Sequence, residues 1–175
     1  MRRSLSTTAH RAVGFTLIEV LVVVLIIGII ITFAALSLGN RALDSQLDNE
    51  GERLHQLFAL AAEDAEMQGL ELGWRYTPDG YEFLVLNGSG AWEAFGAGPL
   101  RERPLPGPLY IDLSVEGRTV PPASPNDKTT EPQVLLLSSG DASPFRLDLH
   151  AHGYQPYIRV EGDALGRLHK KRIDE

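Results

Sequence analysis

Residues 14–31 read Gly-Phe-Thr-Leu-Ile-Glu-Val-Leu-Val-Val-Val-Leu-Ile-Ile-Gly-Ile-Ile-Ile, and from Phe15 to Asn40 the only charged residue is Glu19. At ~1.5 Å of rise per residue, a helix from Phe15 to Leu38 is long enough to cross a hydrocarbon layer of ~30 Å. Its Val and Ile residues have weak helix propensity in water. In lipid that matters little, because a spanning backbone must satisfy its own polar groups and a helix does so.

The flanks orient this segment. Before it stand Arg2, Arg3 and Arg11 with no acid, and then Ala12-Val13-Gly14. A secretory signal puts its apolar stretch ahead of a small-residue cleavage site, so the apolar part is discarded. Here the order is reversed, and a cut after Gly14 keeps the anchor in the mature chain. Asp44, Asp48, Glu50 and Glu52 follow the segment closely, so the positive-inside bias leaves the N-terminus in the cytoplasm and the C-terminal domain across the inner membrane, in the periplasm.

Glu19 lies where a carboxylate is costly, and intramembrane acids are usually paired and functional. One reading is a side chain snorkelling to the head groups. The other follows from the cut: the new α-amino group of Phe15 is protonated at neutral pH, a partner for a carboxylate four residues along. That pair forms either within one chain or between neighbouring subunits, and only the second measures axial register.

The string Gly14-Phe15-Thr16-Leu17-Ile18-Glu19 closely resembles the N-terminus of type IV pilins and type II secretion pseudopilins. The resemblance implies cleavage between Gly14 and Phe15 by a membrane prepilin peptidase, N-methylation of Phe15, and use of Glu19 in filament assembly.

The remaining composition sets bounds. A chain of 175 residues accommodates one domain of ordinary size plus an appendage. Mean hydropathy is near neutral at -0.08, so with the apolar residues concentrated at one end the rest is polar. No cysteine is present, which removes disulfides and thiolate metal sites. The formal charge is -7, and loss of the three leader arginines takes it to -10, a balance that disfavours nucleic acid and anionic lipid as partners.

Beyond Asn40 the pattern turns amphipathic. Leu43, Leu47, Leu54, Phe58, Ala61 and Ala65 recur at helical spacing, and Asp44, Asp48, Glu52, Glu63 and Glu66 lie mainly off that stripe. The absence of proline before Pro78 predicts a nearly continuous helix from about Phe15 to Gln68, ending at Gly69, with Gly28 and Gly39 as places for bending. Thr77-Pro78-Asp79-Gly80 predicts a hairpin between strands at Leu72–Tyr76 and Tyr81–Leu86. Trp92 bounds a short strand, and Gly96 to Pro108 reads as a Gly/Pro-rich connection. Further strands are expected at Leu109–Val115, Val134–Leu137, Phe145–Leu149 and Tyr157–Val160, and Pro121–Pro132 reads as a mobile loop. The expected fold is α+β, type IV pilin-like: a basic leader at 1–14, a transmembrane and filament-core helix at 15–38, an amphipathic continuation at 39–69, and a periplasmic antiparallel β-rich domain at 70–175.

The stretch Leu135-Leu136-Leu137-Ser138-Ser139-Gly140 through Ser143-Pro144-Phe145-Arg146-Leu147, with Gly73-Trp74 and Asp79-Gly80-Tyr81 to Phe83, resembles the H-type minor pseudopilins of type II secretion. Related minor pilins of type IV pili, some of which bind DNA in uptake through a basic C-terminus, share these looser motifs. The resemblance implies a structural subunit near the pseudopilus tip that supports export of folded proteins through an outer-membrane secretin. Its implied partners are the I, J and K minor subunits, the major G-type pseudopilin, the inner-membrane assembly platform and the prepilin peptidase; the alternative is a minor pilin of a type IV pilus.

No catalytic constellation emerges, so an enzyme and a cofactor are not expected. His150 and His152 at i, i+2 share a strand face, yet no third metal ligand stands near them in sequence, and they read as solvent-facing. His55 and His169 have no serine or carboxylate placed for a triad. Glu63, Asp64 and Glu66 read as a solvated helix face, because calcium-loop spacing is absent. Arg167, His169, Lys170, Lys171 and Arg172 form a basic tail that reads either as a DNA contact or as a frayed, solvated end, and with an acidic body no nucleic-acid partner is expected.

Overall fold

The computed structural model describes residues 16–96, 98–124 and 130–174; of these, the side chains of residues 33–40 are not described. The chain divides into two compact units, Met1–Gly39 and Asn40–Glu175. Helix α1, Leu17–Gln68, supplies described structure to both, and Gly28 and Gly39 fall inside it. In the first unit the large apolar side chains from Leu17 to Ile31 are all exposed, Leu17 to 85%. Among the described residues no helix is long and apolar enough to cross a membrane.

In the second unit the predicted stripe becomes the core. Leu47, Leu54, Phe58, Ala61 and Ala65 are fully buried on α1. The helix stops where a left-handed residue is needed: Gly69 has φ 67°, and the Leu70 amide donates back to the Ala65 carbonyl at 3.0 Å. Glycine adopts this conformation without the clash a Cβ brings, and the bond satisfies a terminal carbonyl.

Two antiparallel sheets follow. The first contains β1 (Leu72–Thr77), β2 (Gly80–Leu86), β3 (Trp92–Ala94), β4 (Arg103–Pro104) and β7 (Val134–Leu136), in the order β3-β2-β1-β7 with β4 also on β2. The second contains β5 (Leu109–Val115), β6 (Arg118–Val120), β8 (Phe145–Ala151), β9 (Tyr154–Gly162) and β10 (Leu168–Ile173), in the order β10-β9-β8-β5-β6. Alternation decides which face is buried: on β8 Phe145, Leu147, Leu149 and Ala151 point inward, and Arg146 points to solvent. Phe58 joins helix and sheets, with ring centroids 5.2 Å from Trp74, 5.8 Å from Phe83 and 4.5 Å from Phe145.

Several expectations need correction. The basic tail is not a frayed end: Leu168–Ile173 pairs with β9 along its whole length. The connection from Gly96 to Pro108 contains a 3-10 turn at Gly98–Leu100, which buries Leu100, and then β4. Gly80 is required there, because a Cβ would lie 2.4 Å from the Arg103 carbonyl oxygen. The described ends of Pro121–Pro132 are fastened rather than mobile. Ala123 donates to the Tyr76 carbonyl at 2.8 Å and Gln133 to that of Trp74 at 2.8 Å, while the Gln133 amide nitrogen donates to the Pro121 carbonyl at 2.7 Å. Pro132 also lies over Gly73, where a Cβ would come within 2.3 Å of it. Residues 125–129 of that loop lie outside the described residues.

Candidate functional site

Gly14 and Phe15 lie outside the described residues. Glu19 stands exposed in the first turn of α1. Its amide donates to the Thr16 hydroxyl at 3.3 Å and to the Thr16 carbonyl at 3.1 Å, so Thr16 caps the helix and Glu19 is its third helical residue. A carboxylate at that position also lies favourably in the field of the helix N-terminus. Capping and dipole therefore tolerate an acid at position 19 without a partner, and the exposed apolar surface just after it still has to be covered by lipid or by neighbouring chains.

In the second unit two polar assemblies fasten α1 to the sheets. Glu50 was counted in the sequence among the acids that follow the apolar run, yet it is buried, 2% exposed. Its carboxylate accepts a 2.6 Å hydrogen bond from the Tyr81 hydroxyl and an ion pair from Arg53. Burial, followed by that bond to Glu50, raises the Tyr81 phenol far above its ordinary range. The signal was present in the sequence: Glu50 falls three residues after Leu47 and four before Leu54, inside the apolar stripe.

The second assembly is built by the tail. Arg172 on β10 pairs with Asp44 and with Asp48 at 3.0 Å on α1, and with Asp174 at 2.7 Å; Lys170 pairs with Glu52. Tyr154 donates to Asp44 at 2.8 Å. The bonds from Tyr154 and then Arg172 hold Asp44 below the usual carboxylate range, and Lys170 does the same for Glu52. Carboxylates depressed in the folded state contribute stability above their unfolded pKa, and this is lost as pH falls through the folded value. An Arg172→Ala variant is therefore expected to melt below the parent at pH 7, with the gap closing in acid below about pH 4. Thermal melts of both proteins at pH 7 and pH 3 check this; a gap independent of pH removes the ion pairs as its cause.

These contacts bear on nucleic acid. Arg167 is paired with Asp163 at 2.7 Å, and Lys170 and Arg172 with the acids just named. Cations already neutralised release few counterions on meeting a phosphate backbone. The fragment Leu43–Glu175 is expected to fold alone and to show no DNA binding at micromolar protein near physiological salt. A titration against duplex DNA that saturates there, and is abolished by neutralising Arg167, Lys170, Lys171 and Arg172, contradicts it.

His150 and His152 each stack on the Tyr110 ring, with centroids 5.1 and 4.6 Å away. Among the described residues no group of three His, Asp, Glu or Cys side chains is placed to hold a metal ion. His55 lies on α1 and His169 on β10, and Glu63 and Glu66 are solvent-exposed.

Comparison with known proteins follows the same lines as this geometry. Residues 14–35 match the family model described as a prokaryotic N-terminal methylation motif. The chain is 36% identical over 147 residues to the type II secretion system protein H of Pseudomonas aeruginosa, covering 80% of this chain and 84% of that protein. It is 31% identical over 177 residues to the protein of the same name from Aeromonas hydrophila, covering 95% and 97%. In fold it is similar to the solved minor pseudopilin EpsH from the type 2 secretion system of Vibrio cholerae, with a TM-score of 0.60 at 22% identity over 72% of this chain and 96% of that one. With identity of this order over most of its length, the chain belongs to the type II secretion system protein H family, the H-type minor pseudopilins.

Proposed function

We propose that this chain is a structural, non-catalytic minor subunit of the type II secretion pseudopilus, placed near its tip, where it supports export of folded proteins across the outer membrane. A prepilin peptidase removes residues 1–14 and methylates the amino group of Phe15. Residues 15–38 anchor the chain once across the inner membrane and then pack into the filament, residues 39–69 carry the helix into the domain, and residues 70–175 form the periplasmic part. Its neighbours are the I, J and K minor pseudopilins, the major G-type pseudopilin and the inner-membrane assembly platform. The observation that carries this reading is the apolar surface of α1 from Leu17 to Ile31, exposed throughout and headed by Thr16-Leu17-Ile18-Glu19. An unpaired apolar surface of that extent needs lipid or other helices around it.

Glu19 supplies the test. Glu19→Leu is expected to permit insertion and cleavage, because it removes a charge from an apolar setting, and to reduce entry into the filament. Fractionation and precursor size report the first, crosslinking to other pseudopilins and secretion the second. Full assembly and secretion in the variant reduces Glu19 to a snorkelling and capping residue.

A further inference from the structure

β10 is built unlike the strands beside it. On β8 and β9 the inward side chains are apolar and buried: Phe145, Leu147 and Leu149 on the one, Ile158 and Val160 on the other. β10 ends the sheet, and among the described residues it meets a strand on one side only. Its register sets Lys170 opposite Val160 and Arg172 opposite Ile158, so cations take the inward positions that its neighbours give to apolar groups. No residue of β10 is fully buried, and Leu168 at its start packs against the core only in part.

Helix α1 supplies the matching acids. Asp44, Asp48 and Glu52 recur every four residues, which puts them on one face of the helix. Arg172 bridges Asp44 and Asp48, and Lys170 reaches Glu52. Around these pairs, Tyr154 on β9 donates to Asp44, Asp174 pairs with Arg172, and His55 on α1 lies near enough to Glu52 to favour its charge. In the β9 ladder His169 and Lys171 stand opposite Glu161 and Arg159.

Ionised groups therefore close this seam. Arg172 keeps 29% of its side-chain surface and Asp48 53%, and ion pairs that exposed are individually weak. The rest of the hold is the main-chain ladder to β9. An edge strand fastened in this way opens at a lower free energy than strands whose side chains fill the core, and it opens as a unit.

We propose that β10 is an acid-released strap: closed at neutral pH, it detaches from β9 and from the Asp44, Asp48 and Glu52 face of α1 as these carboxylates are protonated, while β5, β8, β9 and the helix from Leu54 onward stay folded. Release bares the outer edge of β9, whose main-chain donors and acceptors are then open to another strand. It also frees the turns of α1 around Asp44 and Asp48. The strap belongs to the fold of the single chain and holds whichever filament the chain enters.

Its direction with pH follows from the closed state. The bonds from Tyr154 and then Arg172 hold Asp44 low, and Lys170 holds Glu52 low. Carboxylates depressed in the closed strand stabilise it above their unconstrained pKa, and that hold is lost as pH falls through the closed-state value, a window below about pH 4. Lys170 and Arg172 stay charged throughout.

Amide hydrogen exchange of the full-length chain in detergent micelles tests the strap, read as protection factors so that the pH dependence of intrinsic exchange drops out. At pH 7 a Lys170→Gln, Arg172→Gln variant is expected to lose protection across Leu168–Ile173 on the order of tenfold, while Phe145–Ala151 of β8 keeps its protection within about twofold. The parent taken from pH 7 to pH 3 should show the same selective loss, and the variant, with no pairs left to break, should show none beyond it. Asp48→Asn with Glu52→Gln probes the seam from α1 and should reproduce the effect at pH 7. Full protection of Leu168–Ile173 in both variants overturns the strap, because the ladder alone then holds β10. Equal loss over β8 and β10, or unfolding of the whole unit by both variants, overturns it as well, because β10 then opens only with the core.

Discussion

Gly14→Glu is expected to leave the chain at precursor size, with the processed fraction reduced at least about a hundredfold, since seating a carboxylate without a partner in a peptidase site costs more than the ~2.7 kcal/mol such a factor represents. The basis is the order of the leader: three arginines, then a residue with no side chain, and only then the apolar run. A site that accepts glycine at the cut needs no space beyond its α-carbon. Without cleavage the Phe15 amino group is never released, so methylation, and any pairing of that amine with Glu19, are lost together. The variant should still insert in the membrane, because residues 15–38 are unchanged. Gel mobility of the chain in cells with and without the peptidase is the measurement. Conversion to mature size at the parental rate means that the cut lies elsewhere or that Gly14 is not read.

Phe58→Ala is expected to produce the largest loss of stability of any single substitution in the domain. Phe58 is fully buried, and its ring touches Trp74 and Phe83 of the first sheet and Phe145 of the second. Removing it leaves a cavity that three large rings cannot refill from one side. Phenylalanine-to-alanine changes in cores cost ~3–5 kcal/mol, against a total of ~5–15 kcal/mol for a typical domain. For the unit Asn40–Glu175 that corresponds to a melting temperature lower by at least about 10 °C. Ala59, its exposed neighbour on the same helix, serves as control, and Ala59→Ser should shift the melt only slightly. Equal melting of the Phe58→Ala and Ala59→Ser proteins would show that Phe58 does not join the two sheets.

Much of the architecture was legible because it rests on local rules. The apolar run, the stripe Leu47, Leu54, Phe58, Ala61 and Ala65, the stop at Gly69 and the hairpin around Pro78-Asp79 each depend on residues a few positions apart. Periodicity and turn chemistry therefore locate them, and the observed bounds agree to within a residue or two. The alternating runs Leu109–Val115 and Phe145–Leu149 were readable for the same reason, and β8 simply continues to Ala151.

The sequence by itself determined the order of apolar run, amphipathic helix and strands, since these follow from composition and short-range spacing, while Gly14, Phe15 and Glu19 stood out through the resemblance of residues 14–19 to pilin N-termini. Only the tertiary structure decided what the polar residues do. Leu168–Ile173 carries no alternation, so its place as a strand comes from the edge that β9 offers and from acids on α1, more than a hundred residues earlier, that meet Lys170 and Arg172. Glu50 looked like one more surface acid until a phenol from β2 supplied the partner that makes its burial tolerable. Tyr110, His150, His152 and Tyr157 are brought into one column by strand pairing. Such pairings depend on which distant segments come to lie side by side, and no window of a few residues contains that information.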